Sequence, residues 1–120
     1  MSDALTDDNA HHDDFVVKDS GARATWAGGM QRDTDEGKVD YTLVRDGVMY
    51  ERWAEHLRKG ALKYEPRNWL KGVGDPDIEE RYLQSACRHF ESWLRGEVDE
   101  DHAAGVFFNI NGYETSRART

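Results

Sequence analysis

The sequence is short of several things, and each shortage narrows what it can be. One cysteine, Cys87, stands among 120 residues. A single thiol excludes an internal disulfide framework and a zinc site built on several cysteines. No apolar run extends beyond a few positions, so no segment reaches the roughly 20 residues needed to cross a bilayer. Met1-Ser2-Asp3-Ala4 has neither a basic start nor an apolar stretch, unlike a secretory signal. The expected compartment is therefore the cytoplasm, with no membrane partner. Apolar residues make up 38% of the chain and the mean hydropathy is −0.90. Such a chain builds a small core, which leads to the expectation of a homodimer or higher homo-oligomer.

Positive charge is also scarce overall, but not everywhere. The net charge is −8, which argues against a duplex nucleic acid partner. Residues 1–40 carry −6, residues 41–72 carry +3 and residues 73–120 carry −5. A basic middle between acidic flanks suits a small anion in the middle with acids nearby to hold a metal. Ordinary surface charge would give the same sums.

Residues 1–14 are acidic and without pattern, and read as a disordered tail. Residues 15–120 read as a single all-α domain that opens with an extended arm. In that arm Phe15-Val16-Val17 and Tyr41-Thr42-Leu43-Val44 are short apolar words among glycines and aspartates. From Asp46 the pattern becomes helical. Met49, Trp53, Leu57, Ala61 and Tyr64 form a stripe, which predicts a helix from Asp46, as cap, to Tyr64. Ile78, Tyr82, Ala86, Phe90, Trp93 and Leu94 predict a second helix from Asp77 to Arg95, stopped by Gly96. A third is predicted from Asp99 to Glu114. Its apolar lines run through Ala103, Phe107 and Ile110, and through Val106, Ile110 and Tyr113.

The polar residues fall into three groups. On the first helix Arg52, His56, Lys59 and Lys63 step by helical intervals and share one face, suited to phosphate oxygens or to a salt-bridged surface. The following loop packs Tyr64, Arg67, Asn68 and Trp69 together. Tyr64 or Trp69 can stack on a base while Asn68 reads its edge, and Trp69 equally suits a core anchor. The third group is Glu97, Asp99, Glu100, Asp101 and His102, which suits either helix capping or a divalent cation held by oxygens. His89 points toward the core boundary of the second helix. His102, Gly105, Asn109 and Gly112 share a face of the third. Two glycines there cost about 1 kcal/mol each relative to alanine, so close helix approach or room for a ligand should compensate.

Several words then occur in order: Arg32-Asp33-x-Asp35-Glu36-Gly37-Lys38, Glu51-Arg52-Trp53-Ala54-Glu55-His56, and Lys59-Gly60-Ala61-x-Lys63-Tyr64 with Arg67-Asn68-Trp69. Arg88-His89-x-x-x-Trp93-x-x-Gly96-Glu97 and Glu100-Asp101-His102-x-Ala104 with Phe108-Asn109 follow. Over about residues 20–115 this resembles the phage-type dATP/dGTP diphosphohydrolase N-terminal-domain family, relatives of the MazG-like all-α nucleotide pyrophosphohydrolases. The resemblance implies a helical, usually oligomeric enzyme. It would cleave a (deoxy)nucleoside triphosphate to monophosphate and pyrophosphate, in phage nucleotide metabolism and thus in a host cytoplasm. It implies Mg²⁺, with His89, Glu97, Asp101 and His102 as ligands and His89, Asp101 and His102 as catalytic groups. Lys59, Lys63 and Arg67 would hold phosphates. Tyr64, Asn68, Trp69 and Asn109 would shape the nucleotide pocket, and Arg32 and Lys38 would close over it from the arm. The chain lacks the MazG-like Glu-Glu-x-x-Glu word and an acid three residues after Asp101. Imidazoles standing in for those carboxylates would admit Mn²⁺ or another divalent metal. The same departure motivates the alternative of a catalytically inactive oligomer that sequesters nucleotides.

Overall fold

The computed structural model describes residues 15–119; the expected tail over 1–14 lies outside the described residues. The chain divides into two units, Met1–Val39 and Asp40–Thr120. In the first, the expected extended arm contains a hairpin. Strands β1 (Arg23–Thr25) and β2 (Gln31–Asp33) pair antiparallel, Arg23 opposite Asp33 and Thr25 opposite Gln31. Gly29, with φ near +89°, makes the reversal that a side chain would resist. Asp33 gathers the Ser20 hydroxyl and amide and lies within ion-pair range of Arg23 and Lys38. Strands this short carry too little alternation to be read from sequence.

The second unit is helical. Tyr41–Asp46 forms a 3₁₀ turn rather than continuing the extended arm, because the Asp40 carboxylate accepts from the Thr42 amide and starts the turn. This moves the next boundary. Asp46 ends the 3₁₀ turn and does not cap α1 (Val48–Lys63); extended Gly47 stands at the cap without a side-chain bond. Met49, Trp53, Leu57 and Ala61 are half-buried along α1, as their spacing predicts, whereas Tyr64 is exposed. A second 3₁₀ turn, Asn68–Gly72, leads to α2 (Pro76–Leu94). Asp75 caps α2 by accepting from the Asp77 amide, and Pro76 occupies the first turn, where its missing N–H costs nothing. At the far end Gly96 adopts φ near +74°. The Gly96 amide donates to Trp93 O and the Glu97 amide to Ser92 O, which closes the last turn of α2.

The third helix, α3 (His102–Ala118), starts three residues later and ends four later than its apolar spacing predicts. Glu97, Asp99 and Glu100 precede it as a loop, and Asp101 caps it through the Ala104 amide, 3.1 Å away. The buried side of α3 is not its apolar stripe. His102, Ala104, Gly105, Asn109, Gly112 and Ser116 are buried, while Phe107 and Ile110 are about half exposed. The reason is proximity. α2 and α3 run antiparallel with His89 over Gly105, Tyr82 over Gly112 and Glu79 bonded to Ser116. A Cβ on Gly112 would fall 2.5 Å from the Tyr82 ring, so only a stripe of small residues admits α2 this closely. The two glycines thus serve close helix approach. Phe108 turns the other way, edge-on to Tyr82 and 5.2 Å from the His56 ring on α1. Phe90, Trp93 and Leu94, expected in the core, are about half exposed. No helix among the described residues is long and apolar enough to cross a membrane.

Candidate functional site

A cavity of about 820 Å³ opens beside α1. One wall is the polar face of α1: Arg52, His56, Lys59 and Lys63, four side chains brought together by their helical spacing. Past the end of α1 the wall continues through Tyr64, Arg67, Asn68 and Trp69. Asp99, Glu100, Asp101 and Phe108 face it from the α3 side. Six of the residues expected to hold a nucleotide, Lys59, Lys63, Tyr64, Arg67, Asn68 and Trp69, therefore line one space. Lys59, Lys63 and Arg67 form no ion pair among the described residues. The surrounding acids are otherwise engaged: Glu55 with Arg58, and Glu65 with Lys71. Lys63 lies over the Tyr64 ring at 5.2 Å. Among the described residues Arg67 is the one non-glycine with left-handed backbone, φ 62°, a conformation that costs about 1–2 kcal/mol. It starts the 3₁₀ turn that brings Asn68 and Trp69 to the cavity.

The acidic side is more committed than its composition suggests. Asp101 accepts from Arg52 Nε at 2.8 Å and from a second guanidinium nitrogen, and it also caps α3. The Arg52 hydrogen bonds hold its carboxyl down at about 2, below the ordinary 3.8. Both of its oxygens are thus occupied, one by two donors. Sequence spacing could not find this pair, since 49 residues separate its members.

Beside it lies a chain of three side chains. His102, 6% exposed, donates from Nε2 to Asp99 Oδ1 at 2.8 Å. Its Nδ1 is 2.9 Å from Nδ1 of His89. A carboxylate can only accept, so a proton sits on His102 Nε2, and in the neutral tautomer this leaves Nδ1 a lone pair. His89 then donates from its own Nδ1, and its Nε2 carries the free lone pair. Gly105 makes this possible, because a Cβ there would lie 2.8 Å from the His89 ring. Burial pushes the His89 and His56 imidazoles below their usual range, against the pull of Glu100 and, for His56, Asp101, so both favour the neutral form. Asp99 belonged to the acidic group read before α3 but not to the ligands that the resemblance implies; it stands three residues before His102 and reaches it across one turn.

Glu97, Asp99 and His102 each offer a ligand atom, and these atoms lie within 4.8 Å of one another. Of the four expected ligands, Glu97 and His102 are in this group. Asp101 is held by Arg52, and His89 stands behind His102, where it orients the ring. Two expected nucleotide residues have other geometry. Asn109 is buried and donates from Nδ2 to Gly105 O at 2.7 Å, and it does not line the cavity. Arg32 lies on β2 and Lys38 beside Asp33, both in the first unit. The indole nitrogen of Trp53 is buried without a partner among the described residues, and nothing in the structure explains it.

No curated protein and no solved structure gives a significant match to the chain. A family described as dATP/dGTP diphosphohydrolase, N-terminal, matches residues 28–111, which include every residue of the cavity and of the His–His–Asp chain. With most of its length matched, the chain belongs to the dATP/dGTP diphosphohydrolase N-terminal family.

Proposed function

We propose that the chain is a metal-dependent nucleoside triphosphate diphosphohydrolase acting on purine deoxynucleoside triphosphates. Water would bond to the α-phosphorus as the Pα–O–Pβ bridge breaks, releasing a (d)NMP and pyrophosphate. The observation that carries this reading is the cavity itself. Three cations without ion pairs, two aromatics and an amide line one side of it, with acids and a third aromatic, Phe108, on the opposite side. Lys59, Lys63 and Arg67 would grip phosphate oxygens by charge-assisted hydrogen bonds. Tyr64 or Trp69 would stack on the base and Asn68 would meet its edge.

A divalent ion fits Glu97, Asp99 and His102, whose donor atoms converge while His89 steadies the imidazole from behind. Two carboxylates suit Mg²⁺, and the imidazole adds affinity for Mn²⁺. When bound, such an ion supplies charge neutralisation at the phosphoryl group. The proton of His102 would then move to Nδ1, facing His89, and His89 would present Nε2 as a donor rather than an acceptor. The acting form is proposed as a homodimer or higher homo-oligomer in a host cytoplasm, serving phage nucleotide metabolism. The small core supports the oligomer: Tyr82 and Ala104 are the only buried apolar residues among the described residues.

A second reading, a nucleotide-sequestering protein without turnover, is favoured by one observation. Asp101, expected as a catalytic group, is tied to Arg52 through both carboxylate oxygens. A screen of (d)NTPs with product identification, with and without Mg²⁺ or Mn²⁺, separates the two. Pyrophosphate from dATP or dGTP supports hydrolysis. Calorimetric binding with the nucleotide recovered intact supports sequestration, and neither result on any common nucleotide rejects both.

A further inference from the structure

One ion pair stands between the two halves of the site. The cavity beside α1 has a smaller neighbour of about 300 Å³, walled by Trp93, Glu97, Val98 and His102. Arg52, Glu100 and Asp101 line both spaces. The larger holds the cations without ion pairs. The smaller holds Glu97 and His102, two of the three groups that fit a divalent ion. Of Arg52, Lys59 and Lys63 along α1, only Arg52 is in an ion pair among the described residues, and its partner is Asp101. Three features make this pair exchangeable. The side chains of Arg52 and Asp101 are 45% and 34% exposed, so water reaches both and the bond is weakly held. A guanidinium offers phosphate the same fork that it offers a carboxylate, and a triphosphate carries several charges to one. Asp101 also tolerates the loss. Its Oδ1 keeps the Ala104 amide, so α3 stays capped, while Oδ2 has no hydrogen-bond partner among the described residues other than Arg52.

We propose that Arg52 is an exchanging phosphate ligand: a triphosphate entering the cavity draws its guanidinium off Asp101, and the carboxylate so released strengthens the cation site beside it. The inference rests on the nucleotide and cation sites of the proposed function, and it does not depend on hydrolysis. Departure of Arg52 bares one oxygen of Asp101 without unwinding α3. It leaves that carboxylate next to Glu100, which forms no ion pair among the described residues either. Two uncompensated acids beside bound phosphate repel it, and a divalent cation is the charge that relieves them. Nucleotide and ion therefore bind cooperatively through one side chain, in addition to any direct contact between them. Without nucleotide, Arg52 keeps the cation site weak. The tie between Arg52 and Asp101 is then the resting arrangement of either a hydrolase or a sequestering protein.

Calorimetry on the full chain, with each ligand measured in the absence of the other, tests this. Arg52→Met should weaken dGTP binding in EDTA about tenfold and strengthen the tightest Mn²⁺ site, without nucleotide, about tenfold. A merely structural defect lowers both affinities, so the opposite signs identify the exchange. The double variant Arg52→Met with Asp101→Asn replaces a neutral ion pair by two neutral side chains and keeps a capping residue. Its Mn²⁺ affinity should return to within about twofold of wild type. Arg52→Lys keeps a charge for phosphate but loses the fork that holds Asp101. It should move both affinities in the same directions as Arg52→Met and by less, and it decides the matter if the Met variant does not fold. Shifts of the same sign, a shift in one ligand alone, or no shift overturn the proposal. A gain in Mn²⁺ affinity that persists in the double variant overturns the part of Asp101, and with it the exchange. A wild-type chain that binds neither dGTP nor Mn²⁺ overturns the exchange and the proposed function together. Opposite shifts support the exchange whether or not pyrophosphate is released, so a failure of the hydrolase reading does not imitate a failure of this one.

Discussion

α3 divides two regions built in opposite ways. Toward α2 it is a closed seam, where glycine, serine and asparagine let a tyrosine and a histidine ring lie directly on the helix. Toward α1 it borders a hollow, lined by long cations and acids around about 820 Å³ of space. The seam gains its stability from contact, and the hollow keeps a charge separation that contact would cancel. One helix can serve both because residues three or four apart share a face while their neighbours point elsewhere.

Six substitutions and one pH titration test that division. The largest effect is expected in the seam. Gly112→Ala drives a methyl into the Tyr82 ring and should cost about 3 kcal/mol by chemical denaturation. Wild-type stability would mean that the helices are not held at this distance. In the hollow the loss should appear in ligand and not in fold. Lys63→Ala and Arg67→Ala should each weaken dGTP binding about tenfold, close to 1.4 kcal/mol, at an unchanged melting temperature. Arg67→Gly would separate side chain from backbone, since it keeps the left-handed turn while removing the cation.

Asp101 joins the two regions. Asp101→Ala removes a helix cap and an exposed ion pair and should cost about 1–2 kcal/mol. The smallest effect belongs to His56. Its pKa lies below the ordinary 6.5, chiefly through burial, so the unfolded chain takes up its proton first as pH falls. The stability it contributes is complete above about pH 6.5 and is lost as pH drops toward the lower folded value. The melting temperature should therefore fall between pH 7 and 5, and less steeply in His56→Gln. Equal slopes would mean that His56 is not buried against Phe108.

What could be read from the sequence follows from how local each interaction is. Three helices and the cationic row on α1 rest on spacings of three and four residues, and they stand in the structure. The loop word Tyr64–Trp69 was legible because adjacent residues cannot be far apart. The partner of Asp101 was not, because Arg52 meets it only after the chain has folded back. Apolar spacing also failed to find the inner side of α3. Burial there is decided by how closely α2 can approach, which favours Gly105 and Gly112 over Phe107 and Ile110. His89 and His102 were visible as residues, but their pairing depends on Gly105 leaving room for a ring.

The hydroxyl of Ser116 takes the Gly74 amide and gives its own proton to Glu79. It thereby fastens the final turn of α3 to the segment joining the Asn68–Gly72 turn to α2. A shortened chain stopping at residue 111, where the family match ends, would keep every side chain that borders the hollow. It would lose the bonds that hold Gly74, five residues beyond Trp69, to α3 and to Glu79. The tail end of the last helix is therefore a tether for the entry to α2, and trimming it would free the joint between the Asn68–Gly72 turn and that helix.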